Sequence, residues 1–322
     1  MSQDQIRAKL AELRDLALKS NLDIGRDILD LEKKLAANGG PLNEAWHRVQ
    51  LARHPDRPTT LEYAKILFDD FIELHGDRNF ADDPAMVGGI ARFGGQPVTF
   101  IGHQKGKNMK DNLKRNFGMA HPEGYRKALR LARQAEKFGR PIFAFIDTAG
   151  AFPGVATEER GISQAIAENM KVFSALTVPI IATVLGEGGS GGAIGIGLAD
   201  SVLMMENAYY TVITPESCAL ILVRDTGKAP LYAELLKLTP KDCLSFGVID
   251  RIVPEPEGGA QKNPDAAAAA LKTALSETLA ELSKKTTEVL LAERQAKFLG
   301  MGVHEEKEPA RKGLLQRIRE FF

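Results

Sequence analysis

The sequence predicts an α/β fold organised around parallel strands, and three observations carry that expectation. Residues 179–200 open with the β-branched residues Ile180, Ile181, Thr183 and Val184, then break into Gly186, Gly188, Gly189, Gly191 and Gly192 before small apolar residues resume. A short β-branched run bounded by turn residues reads as a strand. Residues 141–147 repeat the pattern and end in a second glycine turn at Gly150 and Gly154. Between the two, Ile162, Ile166 and Phe173 recur at helical spacing. Strands joined by a helix are parallel and usually neighbours, so both turns are expected at one edge of one sheet.

In chain order, Ile6, Leu10, Leu13 and Ala17, then Ile24, Ile28, Leu31 and Leu35, mark two short helices, the second ending at Gly39, Gly40 and Pro41. Each has a single apolar stripe, so residues 1–58 are expected to form a helical appendage at an interface, with a linker at 54–58. Thr59 or Thr60 caps a helix expected to run to about Leu74, followed by a polar loop at 75–84. Strands at 86–93 and 96–103 join across Gly94 and Gly95, a two-residue hairpin signal, and the second delivers Lys105 and Lys107 at its end. Helical spacing returns at Tyr125, Ala128, Leu129, Ala132 and Ala135 and closes on Gly139 and Pro141.

Beyond the turn at Gly150, a helix is expected with Thr157 as N-cap and Glu158 and Glu159 in its first turn. The glycine turn at 186–192 follows, then a short buried helix from about Gly191, and strands at 200–205 and 209–213. Thr214-Pro215 and Thr239-Pro240 each start a helix, with Thr as cap and Pro at the first helical position. A turn-rich connector at 258–265 leads into one long helical stretch at 266–299, and Leu314, Leu315, Ile318, Phe321 and Phe322 make an amphipathic tail.

Composition narrows the function. Of 322 residues 44% are hydrophobic, and 42 basic residues balance 42 acidic ones, which gives no general attraction to nucleic acid or an anionic membrane. Cys218 and Cys243 stand in no metal spacing, so neither zinc nor a disulfide framework is expected. No secretory leader and no apolar run of about 18 residues occur, which reads as a cytoplasmic protein. Charge is uneven, however. Residues 103–140 hold eleven Lys and Arg against three Asp and Glu, which suits either an anionic partner or a solvated helix face for Arg126, Lys127, Arg130 and Arg133.

The glycine turn at 186–192 has five glycines in seven positions, so whatever it meets is met by backbone. The first amides of a helix lack intrahelical partners and point out of its end, which outlines an oxyanion or phosphate site. Gly186, Gly188 and Gly191 match the dinucleotide fingerprint, but only about two helical turns fit before Asp200, short of a crossover. Gly188, Ser190 and Gly192 match the nucleophile elbow, yet only His304 follows Ser190. A third reading uses amides alone: one N–H from the turn after Asp147 and one from the helix start at Gly191 and Gly192 bind a carbonyl oxygen that becomes an enolate. Each such donor is worth about 10²–10³ in rate. Glu187 reads as a general base or as a structural acceptor.

Eleven short runs carry a family resemblance: QLARHP (50–55), GDR (76–78), VGGIA (87–91), IGHQKG (101–106), NFGM (116–119), PEGYRKA (122–128), DTAGAFPG (147–154), EERG (158–161), GEGGSGGA (186–193), PESCA (215–219) and IVPEPEGGA (252–260). In these the chain resembles the alpha-subunit family of bacterial acetyl-CoA carboxylase carboxyltransferases over about residues 45–265. The resemblance implies a crotonase (ClpP-like) spiral of ββα units over 59–258, behind the N-terminal appendage and ahead of C-terminal helices and tail at 259–322. It implies that carboxybiotin, loaded by biotin carboxylase and delivered on the biotin carboxyl carrier protein, gives its carboxyl group to acetyl-CoA, making malonyl-CoA for fatty acid synthesis. A zinc-containing beta subunit is the implied partner and takes most of the acetyl-CoA side.

Carried over residue by residue, Gly191 and Gly192, with Gly150 and Ala151 opposite, would hold the biotin ureido oxygen. Gly188 and Gly189 would shape the turn, and Lys105, Lys107 and Arg126 would contact CoA or carboxylate. Ala149, Phe152 and Ser217 depart from the family pattern, which has Pro, Tyr and Gly there. Two alternatives are a self-contained acyl-CoA hydratase or isomerase of the same fold and a non-catalytic assembly subunit. The first needs carboxylates near the helix after the second turn, and residues 193–199 contain none.

Overall fold

The computed structural model describes residues 43–302. The two helices read at 6–35 and the amphipathic tail lie outside them. Within them the elements run α1 (Glu44–Ala52), α2 (Thr60–Leu67), β1 (Asp69–Glu73), β2 (Met86–Phe93), β3 (Gln96–His103), α3 (Met109–Lys114), α4 (Pro122–Lys137), β4 (Ile142–Thr148), α5 (Val155–Glu159), α6 (Ile162–Phe173), β5 (Ile180–Gly189), α7 (Ser190–Gly197), β6 (Ser201–Met205), β7 (Tyr209–Thr211), α8 (Pro215–Val223), α9 (Ala229–Leu235), α10 (Pro240–Ser245), β8 (Arg251–Val253), α11 (Pro264–Leu282) and α12 (Thr287–Leu299).

One sheet runs β1-β2-β3-β4-β5-β6-β8, with β7 continuing beside the far end of β5. The first three strands pair antiparallel, and β3, β4, β5, β6 and β8 are parallel. Every residue of β4 and β5 is buried, as expected of parallel strands covered on both faces. The β2–β3 hairpin turns on Gly94 and Gly95 at φ of +56° and +81°, the left-handed pair that a two-residue turn of matching twist requires.

Five rings, Phe68, Phe93, Phe100, Phe143 and Phe145, centre the core between α2 and the sheet, with centroids 5.0 Å apart for Phe93 and Phe143 and 5.2 Å for Phe100 and Phe145. Helix α11 adds Leu271, Ala274 and Leu275 to the same core. Helix α1 packs through Ala45, Val49 and Ala52 on Tyr209, Ala233 and Leu238.

Several expectations are corrected. The helix from Thr60 stops at Leu67, because Phe68 turns extended (φ −117°, ψ 142°) and Asp69–Glu73 pairs with β2 as an edge strand. Its short apolar run fitted either period. Thr157 is not a cap: Gly154 precedes α5, and the chain reverses at Gly161 (φ +79°) before α6 begins. Thr157 Oγ1 instead bonds His121 Nδ1 at 3.0 Å. The 266–299 stretch is two helices, α12 starting where Thr286 accepts from Val289 N–H. Strand β8 pairs parallel with β6 in a segment for which the sequence predicts no strand.

Residues 54–58 are anchored rather than loose. The buried Arg57 donates to Leu185 O at 2.6 Å and pairs with Glu255 at 2.6 Å, tying this segment to β5. Among the described residues no helix is long and apolar enough to cross a membrane.

Candidate active site

The two glycine turns meet. Strands β4 and β5 run side by side from Ile142 and Ile180 to Thr148 and Gly188, so the turn after β4 and the start of α7 arrive together. A Cβ on Gly192 would fall 2.5 Å from the Gly150 carbonyl carbon and 2.9 Å from Ala151 N. One on Gly189 would fall 2.0 Å from Ala149 O. These glycines exist so that two backbones can touch.

That contact changes the meaning of Gly188 and Gly189. Both lie in β5, paired with Tyr210 and Thr211 of β7, and do not shape a turn. A Cβ on Gly188 would stand 2.8 Å from the Tyr210 ring. The reversal itself is made at one residue, the exposed Ser190, whose φ of +45° takes the strand straight into α7. A non-glycine residue in a sparsely populated conformation costs about 1–3 kcal/mol, held here by the packing on either side.

On the β4 side, Thr148 Oγ1 donates to Gly150 O at 2.7 Å and accepts from Gly150 N–H at 3.2 Å. The Gly150 amide is thus engaged within its own turn. Ala151 N–H makes no hydrogen bond among the described residues. On the other side Ser190, Gly191 and Gly192 form the first turn of α7, where amides have no earlier helical carbonyl to bond. Ile166 Cδ1 of α6 flanks Gly191 at 3.4 Å from a Cβ built there.

A charged cluster fixes both strand ends from below. Lys105 Nζ donates to Asp147 Oδ1 and to Glu187 Oε2. Glu187 also accepts from Arg53 Nε at 2.6 Å and from the Tyr209 hydroxyl, while Arg53 reaches Glu216 at 2.5 Å. Burial works to raise the Glu187 carboxyl, but Lys105 and Arg53 outweigh it and hold it down to about 2. Burial likewise opposes the Lys105 charge, and Asp147 and Glu187 overcome it, so its pKa is raised. A carboxylate held this firmly ionised and fully bonded is a structural acceptor rather than a general base. His103 is fully buried against Tyr125, and burial first and Lys105 second push it down to about 3 against the backbone of Phe145 and Gly192, so it stays neutral.

Lys105 and Lys107 share a cavity of about 380 Å3 that opens beside Ala149 and is also lined by Arg53, His54, Asn112 and Phe117. Lys107 lies at its rim, bonded to Glu62 at 2.8 Å and to Arg57 O at 3.0 Å. Arg126 is elsewhere: it pairs with Asp77 at 2.8 Å and lines a separate groove between α4 and α6. Sequence reasoning gave no role to Arg53, Asp147 or Tyr209. Arg53 stands inside the QLARHP run and Asp147 opens the DTAGAFPG run, and those runs were the available signals. Among the described residues, no group of three or more His, Cys, Asp or Glu could hold a metal ion.

The architecture is that of known enzymes. The chain superposes on the transcarboxylase 12S structure holding methylmalonyl-coenzyme A, with a TM-score of 0.55, 21% identity, and cover of 78% of this chain and 42% of that one. It also superposes on the beta subunit of Pseudomonas aeruginosa geranyl-CoA carboxylase, with a TM-score of 0.54 at 16% identity, covering 83% and 48%. Likeness at this identity establishes the fold alone.

Sequence narrows this further. A family model described as acetyl co-enzyme A carboxylase carboxyltransferase-like matches residues 2–302. The acetyl-coenzyme A carboxylase carboxyl transferase subunit alpha of Treponema denticola is 52% identical over 297 residues, covering 92% of this chain and 97% of the relative. That of Thermus thermophilus is 52% identical over 301 residues, covering 92% and 96%. The chain belongs to the acetyl-CoA carboxylase carboxyltransferase alpha-subunit family.

Proposed function

We propose that this chain is the alpha subunit of an acetyl-CoA carboxylase carboxyltransferase and works with a zinc-containing beta subunit in the cytoplasm. Carboxybiotin, loaded by biotin carboxylase and brought on the biotin carboxyl carrier protein, supplies the activated carboxyl group that acetyl-CoA accepts to become malonyl-CoA. The single observation that supports the reading is the abutment of Gly192 on Gly150, with Ala151 N beside the first turn of α7.

The donors present fit a ureido oxygen. Ala151 N–H has no hydrogen-bond partner among the described residues, and Gly191 and Gly192 begin a helix whose dipole favours negative charge at that end. Together they hold an oxygen that gains charge and lower the barrier without themselves titrating, each contributing about 10²–10³ in rate. Gly150 contributes its compact turn, through which Thr148 fixes the peptide plane. Gly188 and Gly189 let β7 and the Ala149 turn close on β5. Lys105 acts from beneath by fixing Asp147 and Glu187, while Lys107 at the cavity rim and Arg126 in its own groove meet the anionic parts of substrate or partner. We read 59–258 as the carboxyltransferase core and 1–58 as a helical appendage at an interface.

The test removes one amide hydrogen. Ala151→Pro deletes the unpartnered N–H after a permissive glycine, and Ala151→Gly keeps it. Reconstituted with the beta subunit, A151P is expected to lose about 10²–10³ in carboxyl transfer, and A151G to retain it, with both melting near the parent. Equal activity of parent and A151P would leave an assembly subunit as the better description.

A further inference from the structure

We infer that the groove between α4 and α6 is a binding site for a polyphosphate ligand of nucleotide size, held by Arg78 and Arg130. The groove encloses about 640 Å3, within the usual range for small-molecule sites. Arg78 and Asn79 enter it from the 75–84 loop, Arg126, Arg130 and Arg133 from α4, and Arg160 from the turn before α6. Against five guanidiniums the lining offers two carboxylates, Asp77 and Glu168.

Those carboxylates are already taken. Arg126 holds Asp77 at 2.8 Å, Arg133 holds Glu168 at 3.1 Å, and Arg160 is forked on the buried Glu123 at 3.1 and 3.2 Å. Arg78 and Arg130 have no carboxylate partner among the described residues. Arg78 donates to His75 O, and Arg130 donates to Gly76 O and His75 O. A guanidinium carries five N–H donors, so most of theirs remain for a ligand. The two cations also stand close enough to oppose each other: burial first, and Arg78 second, push Arg130 below its usual value, against the partial relief of Asp82 and Asp77.

An anion between them would satisfy both, and the planar fork of arginine matches phosphate oxygens two at a time. Size points past a single phosphate. Next to the lining residue Arg160, whose guanidinium is 4.9 Å from its centroid, the Phe80 ring is 64% exposed, an aromatic surface on which a base can stack beside the cations. The groove is separate from the Ala151 and Gly191 amides, so the inference stands whether or not those amides bind the ureido oxygen. The phosphates could belong to the nucleotide end of an acyl-CoA or to a free nucleoside triphosphate.

Titration calorimetry on the full chain at low salt, with inorganic tripolyphosphate, 3′,5′-ADP and ATP as probes, decides it. Tripolyphosphate is expected to bind saturably and to weaken at least about tenfold in R78Q/R130Q, with an unchanged melting temperature. R130K, which keeps the charge and loses the fork, should also weaken it. F80A should weaken the two nucleotides and leave tripolyphosphate alone. Tighter binding of 3′,5′-ADP than of ATP assigns the site to acyl-CoA, and the reverse to free nucleotide. Equal tripolyphosphate binding by parent and R78Q/R130Q, or binding of duplex DNA but none of the three probes, overturns the inference.

Discussion

Lys105 Nζ lies 2.7 Å from Asp147 Oδ1 and 2.7 Å from Glu187 Oε2, so one cation clamps β4 to β5 just where both strands leave the sheet. The side chains involved are 17%, 7% and 8% exposed, and water does little to replace any of them. The backbone amides above gain their fixed geometry from this pair of contacts.

Removing the cation alone should therefore be costly. Breaking a buried ion pair from one side costs about 3–5 kcal/mol, because the other charge stays behind. Lys105→Met is expected to lose stability of that order in urea denaturation, and adding Glu187→Gln should recover part of it. A K105M midpoint equal to the parent's would remove the clamp from the account.

The same cluster sets an acid limit. Glu187 is held to about 2 in the fold against an unperturbed 4.5. A folded value below the unfolded one contributes stability that is present above pH 4.5 and lost as pH falls through about 2. Denaturant midpoints measured from pH 6 to pH 2 should fall steeply, and in Glu187→Gln the fall should be shallower from a lower starting point.

The glycines of the second turn should separate into two kinds. Gly191→Ala places its Cβ 3.4 Å from Ile166 Cδ1, an ordinary contact, and is expected to melt near the parent. Gly189→Ala and Gly192→Ala drive a Cβ into backbone at 2.0 and 2.5 Å, and each should cost about 4 kcal/mol or more. Differential scanning fluorimetry ranks them. A stable G192A would mean that the two turns do not touch.

Far from the site, Arg294 of α12 is fully buried. It forks on Asp200 at 2.8 Å and donates to the carbonyls of Phe173, Leu176 and Val178, pinning the last helix beneath α6 and β5. Arg294→Met should cost about 3–5 kcal/mol by leaving the Asp200 carboxylate without its cation, with only the Ile180 N–H at 2.7 Å to bond it among the described residues. Arg294→Lys should recover little, since an ammonium cannot span those acceptors. Chemical unfolding of the two variants checks both statements.

Local pattern was enough for the elements whose signals are local. The β-branched runs at β4 and β5, the Gly94 and Gly95 hairpin, and the Thr-Pro starts of α8 and α10 all follow from residues within a few positions of each other. Thr214 and Thr239 do cap those helices through Ser217 and Asp242 amides. Strands β1 and β8 were not legible: the short apolar run leading into β1 fitted either period, and both strands take their order from the partners β2 and β6. Thr157 looked like a cap because only distant packing at His121 tells it otherwise.

The sequence by itself determined the parallel α/β frame, the convergence of two glycine turns and the family, since periodicity, caps and motif runs are properties of the chain read in order. The tertiary structure alone decided which amides are free and which cations are spent. Gly150 N–H is engaged by Thr148, Lys105 is locked between Asp147 and Glu187, and Arg126 lies in a different groove from Lys107. Each of these depends on a partner brought in from elsewhere in the fold, and a residue's neighbours in space are not written in its neighbours along the chain.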